Sequence, residues 1–191
     1  MRWVKYCSSE AGFSLAEVAV ATGMLATVSL GVAQMFALST SKNLASKHQL
    51  STTSMATQKM EQIRGLTFSY DANNLPLTDD STNLTSCTPA TNGLGLNPSP
   101  VGALESNQTG FYDYLDAKGT CLGTGTTIPN GAVYLRRWSI VPLPTNPNNS
   151  LVLTVLVTPL QRELNRGYSA SGRTRFPEDS ELITVRKRKS P

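Results

Sequence analysis

From Phe13 to Leu38 the chain reads FSLAEVAVATGMLATVSLGVAQMFAL, an apolar run broken by a single charge, Glu17. At 1.5 Å per residue a helix of that length extends about 39 Å, more than the roughly 30 Å hydrocarbon core of a bilayer. The run therefore predicts a tilted membrane-spanning helix. A carboxylate inside such a helix costs about 2.5–3.5 kcal/mol on insertion scales, so it marks a function or a partner. No Lys or Arg stands within a helical turn of Glu17. The nearest cation is one that proteolysis would create: cutting between Gly12 and Phe13 releases an ammonium four residues before the acid. That amine can neutralise Glu17 in its own chain or in a neighbouring copy. Pairing between copies would set the axial register of an assembling helix bundle.

Residues 1–12, MRWVKYCSSEAG, carry Arg2 and Lys5 ahead of the apolar run, and positive charge there holds that end in the cytoplasm. An ordinary secretory signal has a shorter apolar core, about 7–15 residues, followed by a small-x-small cleavage site. Ala37-Leu38-Ser39 fits such a site weakly, but the run is too long and Glu17 is left unexplained. A plain signal anchor fits the length and again leaves the acid without a role.

Taken together, the basic leader, Gly12-Phe13-Ser14-Leu15-Ala16-Glu17 and the long apolar run resemble the processing motif of type IV prepilins and type II secretion pseudopilins. The resemblance implies cleavage after Gly12 by a prepilin peptidase, N-methylation of the new Phe13 and a role for Glu17 in subunit recruitment. It also implies insertion in the bacterial inner membrane, partnership with other pilin subunits through the N-terminal helix, and extraction by an assembly platform into an extracellular or periplasmic filament. Many relatives carry a Pro late in the run, where Gln34 stands here. Flexibility in that stretch would have to come from Gly23 and Gly31.

Helical character is expected to continue from Ser39 to Gly65, which has no proline and no internal glycine and is rich in Ala, Leu, Met, Gln and Lys. Thr52, Met55, Ala56, Met60 and Ile63 recur at spacings of three and four, so they share one face for packing. Lys42, Lys47, Lys59 and Arg64 are expected to face water, and Gly65 to end the helix. Residues 66–130 are dominated by turn chemistry, such as Asn73-Asn74-Leu75-Pro76 and Asp79-Asp80, and predict an irregular connection with at most a short strand or helix. From 131 onward the pattern changes to strands. Ala132–Val141 places Tyr134, Trp138 and Ile140 on one face, and Leu151–Thr158 places Leu151, Leu153, Val155 and Val157 inward. Glu181–Arg186 is expected to be the last strand of an antiparallel meander covered by the amphipathic half of the helix. The expected class is α+β, a long N-terminal helix packed on a C-terminal antiparallel sheet, pilin-like in outline.

Charge and chemistry narrow the functional classes. Removing Arg186, Lys187, Arg188 and Lys189 leaves equal numbers of basic and acidic residues, so a nucleic-acid partner would rest on that terminal run alone. A solvated basic tail is the expectation there. Cys7 falls in the leader, leaving Cys87 and Cys121 as a pair that is either bridged after export or present as two thiols; a bridge would contribute roughly 4 kcal/mol. His48 is the single histidine and is expected at the helix surface, with no second imidazole for a metal site. Asp113 and Asp116, beside Tyr112 and Tyr114, and the pair Asp79 and Asp80 lack the spacing of a calcium loop and read as solvated loop acids. Phe111, Tyr112 and Tyr114 serve either as an exposed patch or as loop anchors. Without a histidine base, Ser and Thr nucleophiles lack activation, so neither enzymatic activity nor a cofactor or metal is expected. The expectation is a structural subunit, a minor pilin or pseudopilin, because Gln58-Lys59-Met60-Glu61-Gln62-Ile63-Arg64 resembles minor, modification-type pilins. The alternative is a filament-tip binding module for adhesion or DNA uptake on the same scaffold.

Overall fold

The structure, a computed structural model, describes residues 12–85, 90–166 and 175–189. Helix α1 runs from Leu15 to Gly65, 51 residues, or about 77 Å at the α-helical rise. The chain divides into two compact units after Leu44. In the first unit every side chain from Gly12 to Leu44 is exposed, including Phe13, Leu15, Leu25, Met35 and Phe36. α1 is long and apolar enough there to cross a membrane.

The second unit carries the core. Its strands are β1 (Phe68–Tyr70), β2 (Pro76–Thr78), β3 (Thr82–Asn83), β4 (Ala90–Thr91), β5 (Tyr112–Leu115), β6 (Cys121–Gly123), β7 (Tyr134–Pro142), β8 (Ser150–Pro159) and β9 (Ser180–Lys187), with a short helix α2 (Leu160–Leu164) between the last two. β1 pairs with β2 and β3 with β4, while the main sheet has the order β6-β5-β7-β8-β9 and is antiparallel throughout. The class is α+β as expected. The expected three-strand meander is, however, a five-stranded sheet, because the region expected to be irregular supplies β5 and β6. These strands are short, and β5 (YDYL) contains an aspartate that reads as loop chemistry in isolation. Its partner across the strands is Arg136, which no local pattern reveals.

Alternation in β7 and β8 divides the sheet into two faces. On the inner face Tyr134, Trp138, Ile140, Leu151, Leu153, Val155 and Val157 join Met55, Ala56, Met60 and Ile63 of α1 in one core. On the outer face Tyr112, Tyr114, Leu135 and Leu160 form a second cluster under α2, so these tyrosines anchor the sheet and do not form an exposed patch. Arg137 ties this corner together, donating to Asn107 Oδ1 at 2.9 Å and to Glu163 Oε1 at 2.7 Å. Gly119 sits in the β5–β6 turn with φ +84°, and a Cβ there would lie 3.3 Å from Met55 Cγ. Glycine is needed both for the left-handed backbone and for the close approach to α1.

Three expectations about charged side chains are corrected. Lys59 does not face water: it is 1% exposed, lies 3.8 Å above the Trp138 ring and donates to the Leu84 carbonyl. Asp113 is not a solvated loop acid: it accepts from Arg136 Nε at 2.9 Å and Nη2 at 2.7 Å, and Lys59 Nζ stands 3.5 Å away. Arg136 also donates to the Met55 carbonyl, so the cluster bolts α1 to β5 and β7. A long aliphatic stem lets lysine occupy a core position while its ammonium reaches a partner, which the helical pattern alone does not show. Burial and the neighbouring Arg136 cation lower the Lys59 pKa to about 8 from 10.5, with Asp113 partly opposing them.

The terminal basic run is likewise not a solvated tail. Arg186 and Lys187 belong to β9, and Arg186 donates to the carbonyls of Ile63 and Leu66, covering the C-terminal end of α1, where exposed carbonyls and the helix dipole favour a cation. Arg188 is buried. It donates to the carbonyls of Asn148, Ser69 and Leu77 and to Thr78 Oγ1, and it stacks 4.1 Å from the Phe68 ring. Only Lys187 and Lys189 of the run are exposed.

Asp113→Asn leaves two buried cations facing each other and is expected to cost about 3–5 kcal/mol. Lys59→Met keeps the Asp113–Arg136 pair and is expected to cost less than half of that. Urea denaturation of both variants compares them, and a costlier Lys59→Met would overturn the assignment. The folded chain releases the Lys59 proton near pH 8 whereas the unfolded chain holds it to about 10.5. Between those values the unfolded state binds more protons, so this residue makes stability rise with pH, by roughly 3 kcal/mol in full. The rise should be absent from Lys59→Met over the same range. Separately, Arg188→Ala should cost about 2–4 kcal/mol by removing a buried side chain together with its stacking on Phe68 and its hydrogen bonds to three separate segments, against less than about 0.5 kcal/mol for exposed Lys187→Ala.

Candidate functional site: the apolar helix and its acid

The first turn of α1 is built by Ser14. Its Oγ accepts from the Ala16 N–H at 3.3 Å, and its carbonyl accepts from the N–H groups of Glu17 at 3.0 Å and Val18 at 3.1 Å. Ser14 and Glu17 have the spacing of a capping box, a signal legible in the sequence. It gives Glu17 a local role in the first turn, where the positive end of the helix dipole favours a carboxylate by about 0.3–1 kcal/mol. That is a fraction of the 2.5–3.5 kcal/mol cost of placing the charge at membrane depth. The cap alone therefore does not account for an acid in this segment. Among the described residues the Glu17 carboxylate has no hydrogen-bond or ion-pair partner.

Gly12 and Phe13 lie at the start of the described residues, both exposed, Phe13 at 83%. The leader, residues 1–11, lies outside them. Gly23 and Gly31, named above as points of flexibility, are helical with open space around each. Gln34 continues the helix without interruption.

The remaining sequence candidates are dispersed. His48 is half-buried, contrary to its expected surface position, with Nδ1 3.0 Å from the Tyr134 hydroxyl; it links α1 to β7. Asp116 turns Oδ1 to the N–H groups of Lys118 and Thr120, and the Thr120 bond leads in lowering its pKa. It stabilises the β5–β6 turn and forms no joint site with Asp113. Asp79 accepts from Ser81 and Thr82, an Asx-type turn, and Asp80 is exposed beside it. Among the described residues no group of three or more His, Cys, Asp or Glu side chains is placed to hold a metal. Cys121 opens β6 and is half-buried. Cys87 lies outside the described residues, so a Cys87–Cys121 bridge stays an expectation.

No protein-family model, curated protein or solved structure matches the chain. The architecture itself, a long N-terminal helix whose second half packs on an antiparallel sheet, is compatible with a pilin-like α+β shape.

Proposed function

We propose that this chain is a filament subunit of the type IV pilin and type II secretion pseudopilin kind, in a minor role. Made as a prepilin and anchored in the bacterial inner membrane by α1, it is cut after Gly12, methylated on Phe13 and assembled with other pilin subunits. The observation that carries the reading is the unpartnered Glu17 carboxylate on a helix segment whose apolar side chains are all exposed. Such a segment needs lipid or other helices around it, and the acid needs a cation. A free Phe13 ammonium on a neighbouring copy answers the second need, while the helices of neighbouring copies answer the first. Mechanism here means assembly: the apolar segments exchange lipid contact for contact with one another, and each ammonium–carboxylate pair fixes the stagger between adjacent subunits.

Intact mass and N-terminal sequencing of the full chain, expressed with and without a prepilin peptidase, test the processing step. The expected mature chain begins at Phe13 and is one methyl group heavier than the unmodified product. A start near Thr40, or persistence of residues 1–12, would sink the reading. Glu17→Leu should retain membrane insertion and cleavage while recruitment into sheared filaments falls by about tenfold or more. Normal incorporation of that variant would remove Glu17 from the mechanism.

A further inference from the structure

The two edges of the main sheet differ. One ends in β6, only three residues long, a short edge of the kind that resists pairing. The other ends in β9, eight residues of sequence SELITVRK. Strand β8 occupies one side of β9, where Arg188 N–H bonds the Asn149 carbonyl. On the opposite side Lys189 exchanges bonds with Phe68 and Tyr70, closing the edge beyond Lys187. By alternation the backbone groups of Glu181, Ile183, Val185 and Lys187 point outward along the open stretch. Among the described residues these groups have no hydrogen-bond partner.

The same four side chains lie on the outer face of the sheet. Ile183 is 66% exposed and Val185 58%, and exposed Val141 and half-buried Val152 continue the apolar patch across β8 to β7. No lysine or proline interrupts the centre of the edge, which is how such strands are ordinarily blunted. The charges stand only at its ends and have opposite signs.

We infer that β9 is a self-complementary edge that pairs antiparallel with β9 of a second copy of this chain, about a two-fold axis at Thr184. The open stretch, Glu181 to Lys187, is centred on that residue. In this register Glu181 faces Lys187 of the second copy and Ile183 faces its Val185, each contact occurring twice by symmetry. All four are pairs of outward-pointing residues, so each exchanges two backbone hydrogen bonds. A shift by one residue brings outward groups opposite inward ones and loses the bonds. A shift by two keeps the parity but sets Glu181 against Val185, or against Lys189, whose backbone groups are already bonded to Phe68 and Tyr70. Charge and bonding parity therefore select one register. Glu181 already meets Arg175 at 2.9 Å in a partly exposed pair, and a carboxylate has lone pairs for a second cation.

The axis fixes the polarity of the contact. α1 runs along β9 in the same direction, with Thr52 at Glu178 and Ile63 at Arg186. A two-fold normal to the sheet turns the packed helices of the two copies antiparallel. The edge thus joins copies that face each other, as distinct from copies lying side by side with parallel helices. It depends neither on cleavage at Gly12 nor on Glu17.

Cysteine cross-linking of the full chain in detergent tests the register, with the wild-type chain as control for its own cysteines. Opposed residues in a hydrogen-bonded pair have Cα atoms about 5.5 Å apart, inside the roughly 4.4–6.8 Å range a disulfide spans. Chains carrying Ile183→Cys mixed with chains carrying Val185→Cys are expected to form a reducible dimer several-fold above the control, and Ile183→Cys alone is not. Self-linking of Ile183→Cys, or no mixed product, would overturn the pairing. Charge reversal supplies an independent arm: Glu181→Lys or Lys187→Glu alone should weaken dimerisation by about tenfold, and the double exchange should restore it. Failure of that rescue, with each variant still folded by circular dichroism, counts against the edge. Repeating the mixture in the Glu17→Leu background separates this contact from the filament reading, since the cross-link should persist there unchanged.

Discussion

A helix of 51 residues cannot hold itself together by its own hydrogen bonds; most of its stability must come from what its apolar faces touch. The second half of α1 meets that requirement within the chain. Thr52, Met55, Ala56, Met60 and Ile63 lie against the inner face of the sheet, and the charged cluster of Lys59, Asp113 and Arg136 fixes where along the sheet the helix rests. The first half has no such cover among the described residues. The two halves of one helix therefore differ in kind: the second is covered by protein, and the first is exposed, long and apolar enough to cross a membrane.

The buried cluster is unusual in its balance. One carboxylate serves two cations, and burial, with a smaller push from the Arg136 charge, depresses the Lys59 pKa. Burial of such groups stabilises little by itself, but the geometry permits only one alignment of α1 over β5 and β7. Arg186 and Arg188 act in a similar way at the far end of the domain. Each presents several N–H donors to carbonyls contributed by separate segments, including the last turn of α1, β1 and the β7–β8 loop. The C-terminal residues consequently complete the fold, and the domain ends in a latch.

The edge strand β9 combines both themes. Its inward side belongs to the core, through Leu182 and Arg186. Its outward side carries backbone groups without a partner among the described residues and a small apolar patch. If the proposed helix and edge contacts both form, they use separate surfaces and join copies with two different polarities.

What the sequence determined by itself is whatever depends on local period and on isolated charge. The apolar run, its single acid, the helical stripe from Thr52 to Ile63 and the alternation in β7 and β8 are each written within a short window, and the observed elements follow them. What only the tertiary structure decided is the fate of polar residues whose partners are distant in sequence. Lys59 reads as solvent-facing, Asp113 as a loop acid and Arg188 as part of a soluble tail, because each is costly to bury alone. Each is buried because a partner 23 to 119 residues away satisfies it, and no local pattern encodes such pairings. The strands β5 and β6 were hidden for the same reason: segments this short gain their stability from neighbours in the sheet, not from their own composition.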